Sequence, residues 1–155
     1  MVNKRIVLWV IVIAYLCLFG NYYYHFIQSY TVLSSRDWHL GYKKIFTDYA
    51  SSFDKFDHII ISNQYGQPHI FAMFYAKIDP QLYRKESSLN SPDNWGFSTI
   101  NRIGKYRFEK ISPENLPTGS SLIFATKLDK LDINPKEIIK NLDDSIAFYV
   151  YEYQK

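Results

Sequence analysis

Along this chain the apolar and polar positions change their pattern twice, and the first stretch is the simplest. From Ile6 to Gly20 there is no charged residue, and the run passes into an aromatic stretch, Tyr22, Tyr23, Tyr24, His25 and Phe26. As a helix the run alone rises about 22 Å, short of the roughly 30 Å hydrocarbon core of a bilayer; continued to Ile27 it rises about 33 Å. The pattern predicts a transmembrane helix over 1–27, with its tyrosines at the lipid–water boundary where aromatic belts concentrate. A cleaved signal peptide is the competing reading, because Lys4 and Arg5 form a basic leader ahead of the run. The small-residue cleavage pattern is missing: bulky aromatics follow Gly20, and Ala14-Tyr15-Leu16-Cys17 lacks the small residue a lipoprotein box needs before its cysteine. An uncleaved anchor is therefore expected. Lys4 and Arg5 flank one end, and the next basic residue after the span is Arg36. The positive-inside bias then places the N-terminus in the cytoplasm and everything after the span outside.

After a linker over 28–36, the pattern turns amphipathic. Trp38, Tyr42, Ile45, Phe46 and Tyr49 recur as one face of a helix, with Ser35 or Asp37 as its N-cap. His58-Ile59-Ile60-Ile61-Ser62 is short, β-branched and continuously apolar, as expected of a strand buried on both faces at the centre of a sheet. Asn63 to Gln67 form a turn, and Pro68 opens a helix whose apolar residues are Ile70, Phe71, Met73, Phe74 and Tyr75. Asp79-Pro80 breaks that helix, Gln81-Leu82-Tyr83 adds a further turn, and a polar loop runs from Lys85 to Asn94.

The third regime is rich in strands. Phe97 to Asn101 and Lys105 to Ile111 predict a hairpin or one long bent strand, and Ser121 to Thr126 repeats the buried-strand signature after a loop over Pro113 to Gly119. Asn134-Pro135 could open a short helix, but Ile138 to Leu142 and Ile146 to Tyr153 around Asp143-Asp144-Ser145 favour a closing β-hairpin. In it Phe148, Val150 and Glu152 alternate with Tyr149, Tyr151 and Tyr153 at the period of a strand. The expected fold is α/β: one N-terminal transmembrane helix followed by a small α/β sandwich with a mixed sheet over 37–155.

Charge narrows the partners. Setting aside Lys4 and Arg5, the 18 basic residues fall to 16 against 15 acidic, a net of +1, so the domain lacks the basic excess that phosphate backbones require and no nucleic acid is expected. The sole cysteine, Cys17, lies inside the span, which leaves no disulfide framework, zinc cluster or cysteine nucleophile in the domain. His25, His39, His58 and His69 lack metal-ligand spacing, and neither a metal nor a cofactor is expected. Asp54 with Asp57, Asp143 with Asp144, and the Lys127-Leu128-Asp129-Lys130 stretch read as solvated turn acids and a mixed-charge face. No catalytic residue can be named. Ligands of open parallel sheets bind beyond the carboxyl ends of the strands, which makes Gln64, Tyr65, Gly66, Gln67 and His69, after the first buried strand, the candidate ligand site. The helix start there would offer N–H groups to an anion; alternatively Gly66 simply permits a tight turn.

Several segments carry a family resemblance: Trp38-His39-Leu40-Gly41-Tyr42-Lys43, Asp57 to Ser62, Tyr65-Gly66-Gln67-Pro68-His69-Ile70-Phe71, Phe74-Tyr75, Asp79-Pro80-Gln81-Leu82-Tyr83 and Gly104-Lys105-Tyr106-Arg107-Phe108. Together they resemble the extracytoplasmic tail of bacterial multi-spanning glycosyltransferases of the dolichyl-phosphate-mannose mannosyltransferase type, which use polyprenyl-phosphate-linked sugars. The resemblance covers nearly the whole chain and implies a last transmembrane helix leading into an α/β domain outside the cell. It supplies no catalytic residue, because that family's catalytic carboxylate lies in an early loop with no counterpart here. What it implies is a truncated chain or accessory subunit, with the lipid bilayer, a multi-spanning glycosyltransferase membrane domain and a lipid-linked sugar or glycan acceptor as partners. A bitopic scaffold with no ligand and an autonomous surface enzyme are the readings from other classes.

Overall fold

The computed structural model describes residues 3–92, 96, 98–129 and 131–155. The expected end of the polar loop at Asn94, the strand start at Phe97 and Lys130 lie outside the described residues. Among the described residues there is one helix long and apolar enough to cross a membrane, α1 (Lys4–Leu33), of 30 residues. Asn3 caps it, its Oδ1 accepting the Arg5 N–H at 3.0 Å. The helix runs past Ile27, so the linker expected over 28–36 is helical as far as Leu33, by way of a π-helical turn at Phe26–Tyr30. Aromatic rings four residues apart stack along this part: Phe19 on Tyr23, Tyr22 on Phe26 and Phe26 on Tyr30, with centroids 6.2, 6.0 and 5.2 Å apart. None of its residues from Lys4 to Tyr30 is buried, so the helix projects away from the rest of the molecule.

The remainder is an α/β sandwich with a mixed sheet. Seven strands among the described residues, β1 (His58–Ser62), β2 (Ser87–Leu89), β3 (Ile100–Ile103), β4 (Tyr106–Glu109), β5 (Ser120–Ala125), β6 (Glu137–Lys140) and β7 (Ile146–Gln154), form one sheet in the order β2-β3-β4-β1-β5-β7-β6. The isoleucine-rich strand is indeed central: β1 lies parallel to β4 on one side and to β5 on the other, and Ile59, Ile60 and Ile61 are fully buried. The other neighbours pair antiparallel, and the tail adopts the hairpin rather than the helix. Helices α2 (Leu40–Asp48), α3 (Pro68–Tyr75) and α4 (Pro80–Glu86), with a 3-10 segment at Ala50–Lys55, supply the second layer.

Strand alternation divides the core. Ile59, Ile61, Phe108, Leu122, Phe124, Phe148 and Val150 face the helical layer, where Tyr42, Ile45, Phe46 and Phe53 meet them. Ile60, Ile123, Ala125 and Tyr151 face the opposite way, onto Ile111 and Leu116 from the loop after β4. Tyr149 and Tyr153 join this second cluster, which explains the tyrosine-rich alternation of β7: one face takes phenylalanine and valine, the other large rings with a polar end.

Four local expectations are corrected. Neither Ser35 nor Asp37 caps α2; its N-cap is His39, in the left-handed region at φ 54°, and Ser34 to His39 form a compact turn instead. Trp38 consequently points to solvent, not into the core. In α3 the buried residues are Pro68 and Ala72, whereas Ile70 and Phe74 are exposed. The stretch from Lys85 is not all loop: α4 continues to Glu86, capped by Asp79 Oδ1 on the Gln81 N–H at 2.8 Å, and Ser87–Leu89 pairs with β3 at the sheet edge.

Among the acids expected to be solvated, Asp57 and Asp144 are exposed, and the fourth correction concerns the part-buried Asp129. Asp57 Oδ2 accepts from the Ser120 N–H and hydroxyl at 2.9 and 2.7 Å, which holds its carboxyl below the usual range. Asp129 accepts from the Ile111 N–H at 2.9 Å through one oxygen, and from the Thr126 N–H and hydroxyl at 2.7 Å each through the other. It thereby ties the exits of β4 and β5 together. Asp129→Ala leaves two part-buried N–H groups without their acceptor, and a loss of about 1–3 kcal/mol in stability is expected from urea unfolding.

Candidate functional site

Beyond the carboxyl ends of β1 and β5 the chain opens a cleft of about 610 Å³. Three segments build it. The loop after β1 contributes Tyr65, the loop after β5 contributes Lys127, and the first residues of β7, which runs antiparallel to β5 and so begins at this end, contribute Ile146 to Tyr149. The turn between α1 and α2 closes the remaining side with Arg36, Asp37 and His39.

The floor is aromatic. Tyr42 stacks on Phe71 with centroids 4.7 Å apart and planes 9° from parallel, and tilts against Phe148 at 5.0 Å. Tyr65 meets the other part of Phe148 edge-on at 5.8 Å, and His39 lies 5.8 Å from Tyr42. The Tyr42 hydroxyl donates to the Ser62 carbonyl at 3.3 Å, and burial pushes its pKa up, so it stays a neutral donor. Burial raises Tyr65 in the same way. At the rim, Asn141 is buried and donates from Nδ2 to Ser145 Oγ at 3.0 Å, while Ser145 donates to Asp143 and holds that carboxyl below its usual range.

Gly41 determines how closely α2 approaches this floor. A Cβ at Gly41 would lie 2.6 Å from Ala147 Cβ and 2.9 Å from the Phe148 ring, so only glycine lets the helix rest directly on β7. Chemically the site is an apolar and aromatic groove with the cations of Arg36 and Lys127 at its mouth and Asp37 beside Arg36, Nε to Oδ1 3.7 Å. Such a groove suits an amphiphile or a ring with a charged substituent. Among the described residues, no three His, Cys, Asp or Glu side chains are grouped to hold a metal.

Of the expected site residues, Tyr65 alone lines the cleft. Asn63 to Gly66 form a β-turn, with the Gly66 N–H on the Asn63 carbonyl at 3.1 Å and Gly66 at φ 126°. The Gln64 N–H reaches Ser62 Oγ at 3.3 Å and its side chain reaches Asn63 at 3.5 Å, while Gly66 and Gln67 are exposed and outside the cleft. His69 turns under α3 toward Phe108, with ring centroids 6.3 Å apart. Sequence reasoning missed Arg36, His39, Tyr42, Lys127 and Phe148. The strand-carboxyl-end rule that selected the loop after β1 also covers the loop after β5, and applied there it reaches Lys127; nothing local marks the others.

His69 has a consequence for stability. Its Nδ1 is buried with no hydrogen-bond partner among the described residues, and desolvation pushes the imidazole below its usual value of 6.5. The unfolded chain then binds this proton more tightly than the folded one, so the stability is complete above about pH 6.5 and falls as the pH drops below it. Asp57 and Asp143, whose carboxyls are lowered, lose their contribution only at more acidic pH, as they fall through their folded values. A urea-midpoint titration is expected to show the first decline in the wild type and not in His69→Leu.

No family model, curated protein or solved structure matches this chain.

Proposed function

We propose that the chain is a membrane-anchored extracytoplasmic domain serving a lipid-linked-sugar glycosyltransferase, without a catalytic carboxylate of its own, and that the cleft receives a lipid-linked sugar or glycan acceptor. The observation that carries this reading is the position of the cleft: Arg36, Asp37 and His39, the residues that follow the apolar helix, form one of its walls. A ligand held there lies at the membrane surface, where a polyprenyl-phosphate sugar presents its headgroup. Tyr65 offers a partly exposed aromatic ring at the cleft wall, backed by the buried Tyr42 and Phe148, and Arg36 with Lys127 offers charge for a phosphate. The resemblance of the segments from Trp38 to Phe108 to glycosyltransferase tails supports the same assignment. Lys4 and Arg5 at the first turn of α1 support anchoring by that helix with the N-terminus in the cytoplasm.

The test is expression of the chain with and without a multi-spanning glycosyltransferase. Co-purification, and sugar transfer that falls in the Arg36→Ala, Lys127→Ala double variant while membrane fractionation is unchanged, are the expected results. Partner-independent localisation with unaltered glycans would overturn the reading in favour of the scaffold.

A further inference from the structure

The junction between α1 and the domain is bonded, not merely continuous. Ser34 and Ser35 are buried; the Ser35 hydroxyl donates to the Val32 carbonyl at 2.7 Å and accepts the Leu142 N–H at 3.1 Å. Ser34 donates to Tyr30 O at 2.5 Å, and the Trp38 N–H closes the turn onto Ser34 O at 2.9 Å. The β6–β7 turn is therefore fastened to the last turn of the helix, and the end of the sheet that carries the cleft sits at the end of α1.

Helix length then sets a height. The 30 residues of α1 rise about 45 Å, and a bilayer with its headgroups measures about 40–45 Å. With Lys4 and Arg5 at one headgroup surface, Tyr22 to Tyr24 lie about 27–30 Å along the axis, approaching the far edge of the hydrocarbon, and Leu33 about 43 Å along it. The last residues of the helix, up to Leu33, then cross the far headgroup layer, and the first residues of the domain emerge at its outer surface. Raising the domain clear of that surface would drag Lys4 and Arg5 into hydrocarbon.

At this level four large apolar side chains are uncovered: Leu33 at 65% exposure, Trp38 at 72%, Leu142 at 53% and Ile146 at 39%. Tryptophan concentrates where an apolar ring can enter lipid while its N–H stays wet. We propose that this end of the domain rests on the headgroup layer of the membrane that α1 crosses, with Trp38 inserted as an interfacial anchor and Leu33, Leu142 and Ile146 beside it. The charges nearby, Arg36 against Asp37 and Lys140 against Asp144, are of mixed sign, so the contact is apolar and survives salt. The inference rests on α1 as a span and is independent of any sugar transfer, so the two readings fail separately.

The test uses the full chain with Trp9→Phe and Trp95→Phe, which leaves Trp38 as the only tryptophan, reconstituted in phosphatidylcholine vesicles at low protein density. Trp38 is expected to lose about half its emission when the acyl chains carry bromine near their ester end, to resist aqueous acrylamide, and to do both at low and high salt. Ready quenching by acrylamide with no response to brominated lipid would overturn the proposal. So would protection that appears only at high protein density, which assigns the patch to a second copy, or release of the protein by alkaline washing, which removes the span itself.

Discussion

Phe148→Ala is expected to cost about 3–5 kcal/mol and to abolish ligand binding in the cleft with it. Phe148 is 1% exposed and belongs to the core cluster on the helical side of the sheet, yet its ring also forms the floor that Tyr42 and Tyr65 contact. Truncation removes the apolar contacts of a full aromatic ring and leaves a void that two tyrosines can only partly fill, because Tyr42 is already fixed by stacking on Phe71 and by its hydroxyl on Ser62. Urea unfolding gives the stability term, and Phe148→Leu separates it from the site: that variant should recover much of the stability while the aromatic floor, and binding with it, stays impaired. Equal recovery of both would show that Phe148 acts on the cleft only through folding.

Gly41→Val is the second large effect, and it works in the opposite sense, by excess volume. With a Cβ only 2.6 Å from Ala147 Cβ, a branched side chain must push α2 away from β7. A loss at or above the upper end of the about 1–3 kcal/mol typical of overpacking is expected. The consequence for the site is separate, since α2 carries Tyr42 and follows directly on His39. The compensating pair Gly41→Ala with Ala147→Gly moves the missing methyl from one side of the contact to the other. It should be more stable than Gly41→Ala alone by urea unfolding; a pair no better than the single variant would contradict the close-approach account.

What could be read in the sequence was what local physics decides. An uncharged run of this length with boundary tyrosines marks a candidate membrane helix by composition alone, and the run Ile59 to Ile61 has no polar side to turn toward water, so it had to be central. Pro68 and Asp79-Pro80 mark helix starts through φ and capping alone. The misplaced start of α2 shows the limit: Ser35 and Asp37 are good capping residues by type, but the Ser35 hydroxyl is spent on the junction with Leu142, and α2 begins where Gly41 allows it onto β7. Ser87 to Leu89 carries no apolar signal and becomes a strand only because β3 lies beside it. The cleft is the same case on a larger scale. Tyr65 was found because its loop follows the central strand; Lys127 reaches it because β5 pairs with β1, Phe148 because β7 pairs with β5, and Arg36 through the Ser35–Leu142 junction, contacts across long sequence separation.

The account stands on a domain fixed outside a membrane by an uncleaved N-terminal helix, and labelling from the outer side tests that most directly. In the Cys17→Ser, Glu114→Cys variant the only thiol is on an exposed loop of the domain. A membrane-impermeant maleimide applied to intact cells should label a full-length chain that stays in the membrane fraction. Labelling only after lysis, or labelling of a shortened chain in the soluble fraction, would contradict it.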